Sequence, residues 1–406
     1  MSIPVPAAAC PITLHELVEG YVDPHGLYDA LRERDGVSYD AAGRCWLVTG
    51  HEAVRKILSD DRFVSEVGLA VPQPPRARRS FFADAVQRQM IFVDGPRQTR
   101  AHRAVLAELS RRSDALQGPL RAAAFALAER ARDRGEVDLV KDFATPFSME
   151  AICMVLGLPV EDAEEMRRLE RWSTTFADVT SGYLDVDLDE IVLLADYFRA
   201  RVAERRDAPT DDLIGAFQRD AGFENEEDVV INCMMAFAAG RVTTQKLLGN
   251  GIPLLLPAWD AWRESVRANP ASVRRLGDEL LRVVTPTRYV VRFATADAEL
   301  GGELASGTTI RRGEKVVLFL QAANRDPDSF ACPHDLEGAR QPNPHVAFGF
   351  GPHRCPGASI ARIEVQTALQ ALLETLRELK PHPTAAPTWE PNPNIGGYAS
   401  YRCLCG

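Results

Sequence analysis

A single thiol, Cys355, stands in the stretch FGFGPHRCPG (348–357), among Gly349, Gly351, Gly357, Pro352 and Pro356. A helical pattern starts directly after it. A thiol at the mouth of a helix faces free backbone N–H groups, here those of Gly357 and Ala358. It also meets the positive end of the helix dipole, and both favour the thiolate. Pro356 has no N–H, so the donors come from the residues after it. The glycines let backbone approach a large flat group closely. The eight cysteines, at 10, 45, 153, 233, 332, 355, 403 and 405, form no Cys-x-x-Cys pair and no zinc-type cluster. Taken alone, the loop leaves two chemistries open: a single-thiolate metal ligand, or a nucleophilic or merely buried cysteine. Gly240 and Thr243, three apart in MMAFAAGRVTTQ (234–245), share one helical face. They too have a plain reading, as a helix flaw and a hydroxyl bonded back to its own helix. Glu279 and Arg282, also three apart, can pair on a helix surface.

These groups need elements to hold them. ASIARIEVQTALQALLETLREL (358–379) puts Ala361, Val365, Leu369, Leu372 and Leu376 on one stripe and predicts a packed helix just behind Cys355. EEDVVINCMMAFAAGRVTTQKLLGNGIPLLL (226–256) is apolar nearly all round and predicts a helix buried at the centre of the molecule. LRAAAFALAERARDRG (120–135) reads as an amphipathic helix that Gly135 stops. Strand patterns are few: CWLVTG (45–50), RYVVRFATADAEL (288–300) and TTIRRGEKVVLFL (308–320). A mainly α fold with a small β portion follows, as one domain over 1–406 with its first ~20 residues extended. Cys403 and Cys405 are expected in a disordered tail. The net charge of -10 argues against general affinity for nucleic acid. The first five residues carry no Lys or Arg and no apolar run of membrane length follows, so neither leader nor anchor is expected. The chain reads as cytoplasmic, with reduced thiols.

The longer pattern HVAFGFGPHRCPGASIARIE (345–364), with Phe348, Gly351, Cys355 and Gly357, resembles the haem-binding signature of the cytochrome P-450 family. That resemblance implies the family's fold, with haem b buried between the central helix and the cysteine-loop helix and Cys355 as axial iron ligand. ELLR (279–282), AANRDPDSF (322–330) and Arg340 are similar to the family's Glu–Arg–Arg network, a structural lock. By the same resemblance Gly240 leaves room for dioxygen and the Thr243 hydroxyl relays a proton. FVDGPRQTRAHRAV (92–105) supplies Gln98 and His102, which with Arg292 and His353 would hold the haem propionates. Phe348 and Gly357 line the cofactor. Substrate would sit near Met235, Ala236 and Ala239, under the loop around 66–91.

Three departures qualify the resemblance. Val242 replaces the acid that normally precedes the helix threonine and brings protons in. Gln98 and His102 stand for a His and an Arg, giving one hydrogen bond and a pH-dependent cation. Arg241 precedes the valine and is expected to face away from the haem. The resemblance implies a haem-thiolate monooxygenase that inserts oxygen into, or oxidatively couples, a small organic substrate in natural-product biosynthesis. Its electrons would come from a ferredoxin and ferredoxin reductase, with Arg103, Arg111, Arg112 and Arg354 as the docking patch. Val242 motivates an alternative that uses peroxide or radical coupling. A third reading is a haem-based gas or ligand sensor without catalysis.

Overall fold

Short β-branched runs in the first part of the chain and around 290–319 find one another across a long sequence gap. The computed structural model describes residues 12–19, 23–33, 36–66, 68, 85–182, 186–219, 222–300, 308–390 and 392–406. Cys10 and most of the 66–91 loop lie outside them. Two compact units emerge, each made of separated stretches: Met1–Gln98, Thr287–Asp335 and Asn343–Cys355 form the first, and Thr99–Pro286, Leu336–Pro342 and Pro356–Gly406 the second.

The first unit is built on a five-stranded sheet. Its strands are β1 (Val37–Asp40), β2 (Cys45–Val48), β3 (Phe63–Val64), β4 (Tyr289–Ala294) and β5 (Lys315–Phe319), in the order β1-β2-β5-β4-β3. The pair β2–β5 is parallel and the rest are antiparallel. The strand patterns of the sequence therefore hold, with their ends trimmed. Helix α1 (His51–Ser59) buries Ala53, Val54, Ile57 and Leu58, a single helical face, against this sheet.

The second unit is helical. Helix α2 (Gly95–Arg134) starts at the last residues of the first unit and absorbs the stretch expected to start at 120. Gly135, at φ 73°, stops it as expected. Helices α3 (Thr145–Leu156) and α4 (Ala163–Thr180) pack on α5 (Glu226–Leu255), the predicted central helix. Asn225 caps α5 by accepting a bond from the Asp228 N–H, and Glu226, Glu227 and Asp228 complement its dipole. Helices α6 (Ser272–Val284) and α7 (Ala358–Thr375) pack on each other and on α5. The predicted stripe of α7 holds, with Val365, Leu369 and Leu372 buried.

One expectation is overturned at the C-terminal end. Arg402–Cys405 is no disordered tail: it is the middle strand of a three-stranded sheet, between Glu136–Asp138 and Leu379–Pro381, and Cys403 is fully buried. Four residues are too short a run to show their period, and both partner strands lie far away in sequence. Among the described residues, no helix is long and apolar enough to cross a membrane.

Candidate functional site

The loop before α7 is held by its own backbone. The Cys355 N–H donates to the Phe348 carbonyl (2.8 Å), the Arg354 N–H to Gly351 (3.0 Å) and the Gly349 N–H to Val346 (2.8 Å). Gly349 and Gly351 both take positive φ, near 70°. At Gly351 no other residue fits, because a Cβ there would lie 2.2 Å from the Leu58 carbonyl oxygen at the end of α1. The packing leaves Cys355 exposed at the surface of its unit. Cys45, Cys153 and Cys403 are buried instead, and burial pushes their thiols up to about 11, 12 and 12. Those three are structural thiols. Phe348 is partly exposed in the same loop, and Arg55 of α1 stacks over the Phe350 ring at 4.5 Å.

Four of the expected cofactor residues share this unit, Phe348 among them. Arg292 projects from β4 into a buried position, where desolvation pushes its guanidinium down to about 10 and the carboxylate of Asp94 only partly offsets that. Its bond from Nη1 goes to the Val291 carbonyl (2.8 Å), and among the described residues it makes no ion pair. His353 Nε2 lies 2.8 Å from Asp94 Oδ1. Burial would raise the Asp94 carboxyl, but His353, the Glu66 N–H and the nearby Arg292 hold it below its ordinary value. Gln98 Nε2 donates to the Pro352 carbonyl (2.8 Å), bracing the loop from the first turn of α2. Asp94 was missed in the sequence. Its signal was its place just before a helix, in a stretch already singled out for cations.

The second unit contributes a seam. Helix α5 is buried over most of its surface, yet Ala236, Ala239, Gly240 and Thr243 are at least partly open, at the spacing of one helical face. Met235 is off that seam and buried, whereas Ala236 and Ala239 lie on it. The Thr243 hydroxyl donates to the Ala239 carbonyl (2.7 Å). Gly240 has a packing reason: a Cβ there would meet Ile152 Cδ1 of α3 at 2.6 Å. His102, on α2, and Gly357, just before α7, are both partly exposed.

Arg241 faces away from the seam, as expected. It is fully buried and donates to Ser173 and Thr174 of α4 (2.8 and 2.5 Å) and to Gln245 (3.2 Å). Val242 is buried as well. The Glu–Arg–Arg network is formed. Arg282 bonds both oxygens of Glu279 (2.9 and 2.7 Å), and Arg340 adds a third bond at 3.0 Å, all three side chains being buried. Burial alone would raise the Glu279 carboxyl; the two guanidiniums and the Glu337 N–H outweigh it and lower it. Of the four arginines expected in a docking patch, two are engaged within the protein. Arg111 pairs with Glu108 and Asp211, and Arg112 is spent on the Val155 and Met154 carbonyls at the end of α3. Arg103 and Arg354 remain exposed.

The donor set suits a porphyrin held by one thiolate. The thiol is exposed in a fixed loop, and among the described residues the buried Arg292 makes no ion pair, Asp94 offsetting only part of its burial. Among the described residues no cluster of His, Cys, Asp or Glu could hold a bare metal ion instead.

Comparison with known proteins places these features. The family model described as Cytochrome P450 matches residues 275–396. Pentalenic acid synthase of Streptomyces avermitilis is 32% identical over 88% of this chain and 88% of its own length. The 20-oxo-5-O-mycaminosyltylactone 23-monooxygenase of Streptomyces fradiae is 31% identical over 88% of this chain and 84% of its own. Among solved structures, P450BioI in complex with a hexadec-9Z-enoic acid ligated acyl carrier protein superposes with a TM-score of 0.83, at 26% identity, over 96% of this chain and 100% of that one.

Proposed function

The chain belongs to the cytochrome P450 family and is a haem b monooxygenase, and from that premise we propose what its own residues do. Cys355 would supply the thiolate that holds the haem iron. Arg292 and His353 bind the propionates from the first unit, with His353 oriented by Asp94, and Gln98 braces the loop. His102 assists from α2. Thr243, Ala236 and Ala239 would line the wall beside the substrate, and the Thr243 hydroxyl, which donates to the Ala239 carbonyl, would pass a proton there. Haem supplies the activation of dioxygen when bound.

The substrate is a small organic molecule of natural-product biosynthesis, and the electrons come from a ferredoxin through its reductase. Support comes from relatives named for biotin biosynthesis, polyketide biosynthesis and the 23-monooxygenation of a mycaminosyltylactone. The observation that carries the site assignment is Arg292, a buried cation whose desolvation Asp94 only partly offsets, in the unit that presents Cys355. Reconstitution with a ferredoxin, a reductase and labelled dioxygen tests it: label enters the product in wild type, and Arg292→Leu lowers haem retention.

A second reading, in which peroxide is the oxidant, is favoured by the buried Val242. Val242→Asp separates the two. A large gain in turnover per electron marks an oxygenase short of protons, whereas peroxide-driven rates matching the reconstituted system support the second reading.

A further inference from the structure

An imidazole that the reading above does not use lies among cations in the first unit. His25 opens the helix His25–Arg32, and its Nδ1 is buried with no hydrogen-bond partner among the described residues. Its ring meets the Tyr28 ring edge-on at 6.1 Å and the His334 ring at 6.4 Å. Arg325, on the stretch beyond β5, puts Nη1 3.3 Å from His334 Nδ1. Arg288, just before β4, is buried, and Arg32 ends the helix that His25 begins.

The acids nearby are already committed. Asp29 is shared between Arg32 and His334, whose Nε2 stands 3.4 Å away. Asp23 is exposed and accepts from the His25 backbone N–H (3.3 Å). Burial pushes the His25 ring down to about 3, and Arg325, His334, Arg288 and Arg32 push it the same way. The ring is therefore neutral at physiological pH, inside a positive field. A stray donor in such a field favours a negative partner.

We propose that His25, Arg288, Arg325 and His334 form a binding site for a small multivalent oxyanion of the phosphate type. His25, in its Nδ1–H tautomer, donates to the anion. Arg288 and Arg325 supply charge and N–H donors, and the half-exposed His334 stands where the site opens to solvent. A bound water would satisfy the His25 nitrogen without offsetting the positive charge around it, whereas an anion does both. A metal ion is the wrong sign, and among the described residues no cluster could hold one.

The site bears on the rest of its unit. Arg325 follows Asn324, whose Oδ1 accepts from the Val346 N–H (2.6 Å) at the start of the run that leads to Cys355. An anion held between the helix His25–Arg32 and the segment of Arg325 and His334 steadies that anchor.

Thermal unfolding of the purified holoprotein against added inorganic phosphate tests this, with ionic strength held constant by sodium gluconate. Wild type should show a saturable rise in unfolding temperature, half complete at about 1 mM phosphate or below. His25→Phe keeps an aromatic ring but has no nitrogen, and His334→Gln changes a half-exposed side chain. Each should move the half-point to about tenfold more phosphate or beyond. Should both variants fold poorly, ring signals of histidine-labelled wild type decide instead: two of them should shift with phosphate at one common half-point, and unshifted signals overturn the proposal. An unchanged unfolding temperature in wild type, or an equal rise in wild type and both variants, overturns it as well.

Discussion

Arg340 Nε reaches the same carboxylate oxygen of Glu279, at 3.0 Å, that accepts Arg282 Nη2 at 2.7 Å. The pair ties the segment Leu336–Pro342 to α6, where no exchange with water can replace it. Glu279→Ala removes the carboxylate that Arg282 and Arg340 share, a loss of about 3–5 kcal/mol for a broken buried pair. The expected outcome is little folded protein and a much lowered unfolding temperature by calorimetry. Arg340→Lys, which keeps the charge but not the planar fork, should lie between it and wild type.

Gly351→Ala is expected to damage the cysteine loop selectively. The substitution must tolerate φ 70° and place its Cβ 2.2 Å from the Leu58 carbonyl oxygen. Strain of this kind costs about 1–3 kcal/mol before the clash is counted. Haem content per chain should drop well before helical content does, which absorbance and circular dichroism measure together.

Arg241→Met should be tolerated. Ser173 and Thr174 both also donate to the Glu170 carbonyl, and Gln245 Nε2 donates to Thr145, so none of Arg241's partners is left without a bond. Replacing a buried charge by an apolar chain of similar length is often neutral or stabilising, by about 1–4 kcal/mol at best. Thermal unfolding and turnover should both stay near wild type. A large loss of turnover would place Arg241 in the reaction after all.

Two carboxyls should push stability in opposite directions with pH. Glu364 is raised from 4.5 to about 7, so the folded state binds its proton more tightly, and stability falls as pH rises from the first value through the second. Asp94 is lowered from 3.8, so its contribution is full above that value and is lost as pH falls through the lower folded value. Glu364→Gln should therefore gain on wild type with rising pH, by up to about 3 kcal/mol, and Asp94→Asn should flatten the acid limb. Denaturant titrations at several pH values read both slopes.

The sequence carried most of what positions the site, and its failures have physical causes. The central helix was legible because a run apolar all round has no other stable form, and the cysteine loop because its glycines are required by geometry. Arg241 was oriented correctly from helix rotation alone. The chain's division was not legible, since each unit gathers stretches hundreds of residues apart and no linker marks the crossings. Asp94 and Glu364 were missed for a related reason. A single acid in a helical pattern looks like a solvated one until packing shows what surrounds it. Glu364 did leave a trace, four residues from both Ile360 and Ala368 on a face that turns out buried.

The most direct measurement is the absorption spectrum of the purified, reduced protein under carbon monoxide, in wild type and in Cys355→Ala. The expected result is a strongly red-shifted Soret band in wild type that is lost in the variant. Colourless protein, or a spectrum that keeps its position after the thiol is removed, contradicts the assignment of Cys355 as the iron ligand.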